Sequence, residues 1–191
     1  MKEMNVKFRY TNEKTKNLYL KASKNKHNFP FKTHDDDFCY DVVAISCEEV
    51  APNIYKYGLG LAFQIERDDF DLYLGKMGEE TLSQKDDVWI AFDGKLQIIK
   101  QPLNLSLDFR PRSSVWKTGM VLSNCEGTID EGYINEVSAV FYHIMPNMPK
   151  YEVGDRIGQI KIGVTLPIEF FEVDELNQTS RGMGGYGSTG K

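Results

Sequence analysis

The stretch Val88-Trp89-Ile90-Ala91-Phe92-Asp93-Gly94-Lys95-Leu96-Gln97-Ile98-Ile99 decides the fold class. β-Branched and aromatic residues run up to an Asp-Gly pair and resume directly after it, the pattern of two strands joined by a tight turn that needs positive φ angles. Runs of the same character recur at residues 6–10, 40–45, 57–65, 134–144 and 157–164, with Gly, Pro, Asn and Asp punctuating the chain between them. Many short strands separated by turn residues predict an all-β domain, a jelly roll or β-barrel. Helical composition is thin: only residues 79–88 carry it, and that segment is too short and polar to anchor a bundle.

The chain has 191 residues, of which 41% are apolar and 27% charged, the range of one soluble domain that buries a core without disulfides or a structural metal. A formal net charge of -5 and the absence of a sustained Lys/Arg stripe argue against a nucleic-acid partner, since phosphate backbones recruit basic surfaces. The lysine-rich residues 14–32 read as a solvated face or loop. Cys39, Cys47 and Cys125 lack metal-ligand spacing and sit in apolar or mixed segments, which implies a reducing compartment. No run approaches the ~20 apolar residues of a membrane span, and residues 1–10 lack the apolar core of a signal peptide. The expectation is a cytoplasmic protein with no membrane partner. From residue 177 to 191 the chain becomes Gly- and Ser/Thr-rich, which predicts a mobile arm beyond a domain of residues 1–176.

Five constellations carry the chemistry: Tyr40-Asp41-Val42; Pro111-Arg112-Ser113-Ser114; the ten residues from Asn124 to Tyr133, NCEGTIDEGY; the ten from Tyr151 to Ile160, YEVGDRIGQI; and RGMGGYGSTG from Arg181 to Gly190. In this order they resemble the five motifs of the homotrimeric deoxyuridine triphosphatase family. The resemblance implies a distorted jelly-roll subunit, active sites shared between the subunits of a homotrimer, Mg2+ as cofactor, and conversion of dUTP to dUMP and pyrophosphate. Residues 57–62 resemble the family strand that leads shortly into Pro-Arg-Ser-Gly. The segment of about residues 67–106 therefore reads as an inserted β-hairpin excursion.

The resemblance also assigns roles. Asp41 matches the aspartate that holds Mg2+ through its waters, and one carboxylate suffices because Mg2+ retains waters and takes substrate phosphates as ligands. The neighbouring Asp35-Asp36-Asp37 run is an alternative attractor for the metal. Arg112 suits bidentate contacts to phosphate, and Ser113 and Ser114 offer compact hydroxyls, with Ser113 matching the family serine. Asn124, with the main chain around Gly127 and Ile129 in a hairpin, complements the two carbonyls and one N-H of uracil, an edge that cytosine does not reproduce. Asp130 matches the aspartate that orients the attacking water, and Tyr133 the aromatic residue under the deoxyribose. Gln159 matches the α-phosphate contact. Asp155 and Arg156 suit either a structural ion pair of the trimer or a substrate contact. In the arm, glycine N-H groups form an anion nest, Arg181 reaches the γ-phosphate, Gly187, Ser188 and Thr189 assist, and Tyr186 stacks on the base.

Two other readings compete. A dCTP deaminase of the same fold carries an Arg-Ser-Ser like Arg112-Ser113-Ser114, but the position matching its general-base glutamate is Val140, which cannot move a proton. A non-catalytic nucleotide-binding regulatory protein has no need of a water-orienting aspartate, yet Asp130 is present.

Overall fold

The computed structural model describes residues 6–24, 28–65, 88–92, 95–99, 104–165, 168, 170–180 and 182. Its frame is two four-stranded antiparallel sheets, a jelly-roll-like arrangement in keeping with the all-β reading. The first sheet runs β10 (Gly127–Asp130), β8 (Asn104–Pro111), β12 (Arg156–Thr165), β2 (Tyr40–Val43). The second runs β3 (Ser46–Ala51), β4 (Ile54–Gly58), β11 (Ser138–His143), β9 (Met120–Leu122). Two pairs complete the strands among the described residues: β1 (Val6–Tyr10) with β5 (Leu61–Ile65), and β6 (Val88–Phe92) with β7 (Lys95–Ile99). The register of the last pair sets Phe92 opposite Lys95, as an Asp-Gly hairpin requires.

Alternation along the strands separates two chemistries. In the first sheet Leu105, Leu107, Phe109 and Ile160 lie on one face and are buried, while Ser106, Asp108, Arg110, Gln159 and Lys161 occupy the other. The apolar face meets the second sheet: the Phe109 and Phe141 rings pack edge-on at 6.2 Å, and Tyr57 packs against Phe141 at 5.9 Å. The polar face neutralises itself locally through Lys161–Asp108 at 3.0 Å and Arg110–Glu126 at 2.6 Å.

The structure corrects several expectations. Residues 13–22 form an α-helix, α1 (Glu13–Ala22), where a solvated face or loop is expected. The signal was local: Asn12 caps the helix by accepting from the Thr15 N-H at 3.0 Å, Glu13 sits in the first turn and Lys21 in the last. Of the expected helical segment 79–88, residues 79–87 lie outside the described residues, and Val88 begins a strand. The run 57–65 is broken into two strands at Gly60, whose φ of +65° is readily adopted by glycine and where a Cβ would meet Thr15 at 2.5 Å. At the other end of the supposed insertion, residues 104–106 already belong to β8, a central strand of the first sheet.

Candidate active site

Asp41 is the hub of the site. It lies on β2 with 1% of its surface exposed, and its main-chain N-H donates to the Phe31 carbonyl at 3.0 Å, which ties β2 to the loop before it. Its carboxylate accepts from Thr33 Oγ1 at 3.2 Å and Arg156 Nη1 at 3.0 Å on Oδ2, and from Gln159 Nε2 at 3.3 Å on Oδ1. Arg112 Nε stands 3.5 Å from Oδ1. A buried carboxylate would be costly alone; two guanidiniums and two neutral donors make it tolerable.

A bulge assembles this cluster. Residues 156 and 159 are an odd number of positions apart and would project to opposite faces of a regular strand. In β12 the register slips, with Arg156 opposite Val43 and Gly158 opposite Val42, so that an extra residue is inserted and both side chains reach Asp41. Gly158 permits it: a Cβ there would lie 2.3 Å from the Phe109 ring.

Beside the hub opens a cavity of about 460 Å³ lined by Arg112, Ser114, Lys117, Lys150, Tyr151 and Arg156 among others. Four cations face one lining carboxylate, Asp155, so the cavity suits a polyanion. Burial pushes the Tyr151 phenol above its ordinary value, against the opposing pull of Arg112, so the ring stays neutral. Arg112 precedes the 3-10 turn Ser113–Thr118, whose second residue, Ser114, lines the cavity.

The third constellation lies elsewhere. Asn124 is exposed in the turn before β10, Gly127 and Ile129 lie on β10, Asp130 ends it, and Tyr133 follows with 44% of its surface exposed. The expected hairpin is not a pair of adjacent strands: β9 pairs with β11 in the second sheet, whereas β10 pairs with β8 in the first, so residues 123–126 cross from one sheet to the other. The Tyr133 hydroxyl donates to the Glu136 carbonyl at 2.8 Å, which fixes the ring with its face open.

Asp130 and Asp41 are far apart within one chain. Asp130 is opposite Ser106 on β8, while Arg110, four residues on, is opposite Gln159, itself opposite Asp41. Three strand spacings across and four residues along amount to about 20 Å. The structure thus brings together Asp41, Arg112, Ser114, Arg156 and Gln159, and leaves Asn124, Gly127, Ile129, Asp130 and Tyr133 as a separate group. Arg181, Tyr186, Gly187, Ser188 and Thr189 lie outside the described residues.

The Asp41 site fits Mg2+ in one manner. A carboxylate offers about four acceptor positions; three are filled by hydrogen bonds and Arg112 Nε stands 3.5 Å from Oδ1, so a metal-held water would reach this buried carboxylate only by displacing one of these groups. With two guanidiniums against Asp41, a cation must arrive carrying negative charge, as it does on a triphosphate. Among the described residues no three His, Cys, Asp or Glu side chains group into a metal set.

The family model described as dUTPase matches residues 70–190, well over half the chain, and a nucleotide-hydrolysing relative agrees. Over 131 residues the chain is 35% identical to the deoxyuridine 5'-triphosphate nucleotidohydrolase of Clostridium novyi, covering 68% of this chain and 90% of that protein. The chain belongs to the dUTPase family. It is therefore an enzyme of the dUTP diphosphatase class. The like-named protein of Gloeothece citriformis is 39% identical over 93 residues, 48% of this chain and 64% of its own length. A variant of the Staphylococcus bacteriophage 80alpha dUTPase, solved with dUpNHpp, shares the fold with a TM-score of 0.61 at 16% identity, covering 98% of this chain and 99% of that one. The family match begins at residue 70, so Thr33 and Asp41 stand outside it. Val140, where the deaminase reading needs a carboxylate, pairs with Lys56 inside the second sheet.

Sequence reasoning missed Thr33, Lys117 and Lys150, and gave no role to Tyr151, the first residue of the fourth constellation. Thr33 carries no motif and meets Arg156 across 123 positions of sequence, a relation visible only after folding.

Proposed function

We propose that the chain hydrolyses dUTP to dUMP and pyrophosphate in sites that each draw on more than one copy of the chain, as a homotrimer supplies. The observation that carries this is the separation of about 20 Å between Asp130 and the Asp41 cluster. A water attacking the α-phosphorus and the side chains gripping the same phosphate must stand within a few ångströms of one atom. Asp130 of one copy opposite the Asp41 cluster of another meets that need; both within one copy do not.

In this reading Arg112, Arg156, Gln159, Ser113 and Ser114 hold the phosphate chain over the basic cavity. Asn124 and the main chain at Gly127 and Ile129 read uracil, and Tyr133 lies under the deoxyribose. Asp130 accepts a hydrogen bond from the attacking water and takes its proton as the new P-O bond forms and the bond to the bridging oxygen of pyrophosphate breaks. Mg2+, held by phosphate oxygens and, through one water, by Asp41, would neutralise charge on the leaving pyrophosphate. The glycine-rich residues 177–191, with Arg181, Tyr186, Gly187, Ser188 and Thr189, close over the bound nucleotide. The three cysteines are free, which accords with a cytoplasmic location, and among the described residues no helix is long and apolar enough to cross a membrane.

The test follows pyrophosphate release from dUTP, dCTP, dTTP and UTP with and without Mg2+, then mixes two inactive variants, Asp130→Asn and Arg112→Ala. Asp130→Asn should bind dUTP but lose at least about a hundredfold in turnover. If the two groups come from different copies, mixed oligomers regain activity that neither parent has. No recovery, with subunit exchange verified, would show that each chain completes its own site.

A further inference from the structure

Outside all five constellations, Thr33 touches both the site's buried anion and one of its cations. Its hydroxyl donates to Asp41 Oδ2 at 3.2 Å and accepts from Arg156 Nη1 at 3.0 Å, while Nη1 itself donates to Oδ2 at 3.0 Å. The three atoms close a ring. Charge fixes the direction of each bond: a guanidinium only donates and an ionised carboxylate only accepts, so the hydroxyl must point its proton at Asp41 and its lone pair at Arg156. Such a ring holds both charged groups in one orientation.

The loop that presents Thr33 is itself anchored. Two residues earlier Phe31 is buried in the core, and its carbonyl accepts the Asp41 N-H at 3.0 Å. Beneath it Tyr19 of α1 joins β2 to the link between β4 and β5, donating to the Leu59 carbonyl at 2.9 Å and accepting from the Val43 N-H at 3.2 Å. Thr33 is thus a fixed point against which the Arg156 side chain, which is 30% exposed and lines the basic cavity, is held. A long cationic side chain otherwise loses rotamer freedom when a ligand orders it.

We propose that Thr33 is a positioning residue for phosphate binding: by bridging Asp41 and Arg156 it pre-orders the guanidinium for the phosphate chain. The consequence for nucleotide rests on the function proposed above; the ordering of Arg156 does not. Thr33→Val keeps the shape and removes both bonds, and Thr33→Ser restores the hydroxyl. Loss of one such bridge should weaken dUpNHpp binding in the presence of Mg2+ by about three- to tenfold. KM for dUTP should rise in proportion while kcat changes by less than about twofold, since Thr33 does not face the reacting phosphorus. Thr33→Ser should match the parent. In the nucleotide-free protein, the Arg156 Nη proton signals should be resolved in the parent and in Thr33→Ser, and averaged by rotation in Thr33→Val.

Equal dUpNHpp affinity in the parent and Thr33→Val would overturn the proposal, as would a Thr33→Ser protein as defective as Thr33→Val, which would mean that the methyl group matters and the hydroxyl does not. A parent that neither binds dUpNHpp nor hydrolyses dUTP would sink the proposed function instead. The Nη signals then decide: release on removing the hydroxyl sustains Thr33 as the brace of Arg156, and identical signals refute it.

Discussion

Replacing Gly158 with alanine adds one methyl group at the bulge of β12, and the structure fixes what that group meets. Its carbon would lie 2.3 Å from Cε2 and Cζ of Phe109 and 2.8 Å from the Arg110 carbonyl oxygen. Phe109 is 2% exposed and packs against the Phe141 ring, so it has no free space to enter. The Arg110 carbonyl belongs to the β8 ladder and cannot swing away without breaking the pairing with β12. Overpacking a core typically costs about 1–3 kcal/mol, and a backbone obstacle places this site in the upper part, about 2–3 kcal/mol. For a chain of this size, about 2–4 °C per kcal/mol gives a melting temperature lower by about 4–12 °C. Because the bulge aims Arg156 and Gln159 at Asp41, KM for dUTP should also rise. Thermal unfolding at equal protein concentration, followed by circular dichroism, measures the first effect. The cause is isolated by Phe109→Val: in the Gly158→Ala background it should destabilise by at least about 1 kcal/mol less than it does alone, because it opens the space the methyl needs. A Gly158→Ala protein that melts within about 1 °C of the parent would refute the steric argument.

Tyr133→Ala should lower dUTP turnover and narrow the preference for dUTP over UTP, because the ring face held by the bond to the Glu136 carbonyl is the surface proposed to lie against the sugar; an unchanged ratio in a competing-substrate assay would remove that role. Stability should fall as pH rises above 10.0, the ordinary phenol value: burial raises the Tyr19 and Tyr151 phenols, so the unfolded chain releases protons that the folded chain keeps. Urea midpoints should be insensitive to these groups between pH 7 and 9 on that ground and decline beyond about 10. Tyr19→Phe should reduce that alkaline slope while lowering stability near neutrality by about 1–3 kcal/mol, since the buried Val43 N-H and Leu59 carbonyl lose their hydroxyl partner.

The sequence alone was sufficient for the β class and for putting forward candidate site residues, because both readings are local. The run of residues 6–10 is a strand with those same ends, and an Asp-Gly pair between apolar runs joins β6 to β7. Each constellation is a few adjacent residues, so Asp41, Arg112, Asp130 and Gln159 could be named from spacing and family resemblance without coordinates. Where a local cue is present but weak, as with Asn12 and Glu13 at the start of α1, a lysine-rich segment reads as a solvated face or loop although it forms a helix. What tertiary structure decided is which residues meet. Arg156 and Gln159 share Asp41 only because a bulge shifts the side-chain period of β12. Thr33 joins them from 123 residues away. Asp130 does not join them at all within one chain, since the hydrogen-bonded register of β10, β8, β12 and β2 holds it about 20 Å from Asp41. Register and bulges are set by how whole strands bury one face and satisfy their backbone groups together, a condition on the entire sheet that no short stretch of sequence contains.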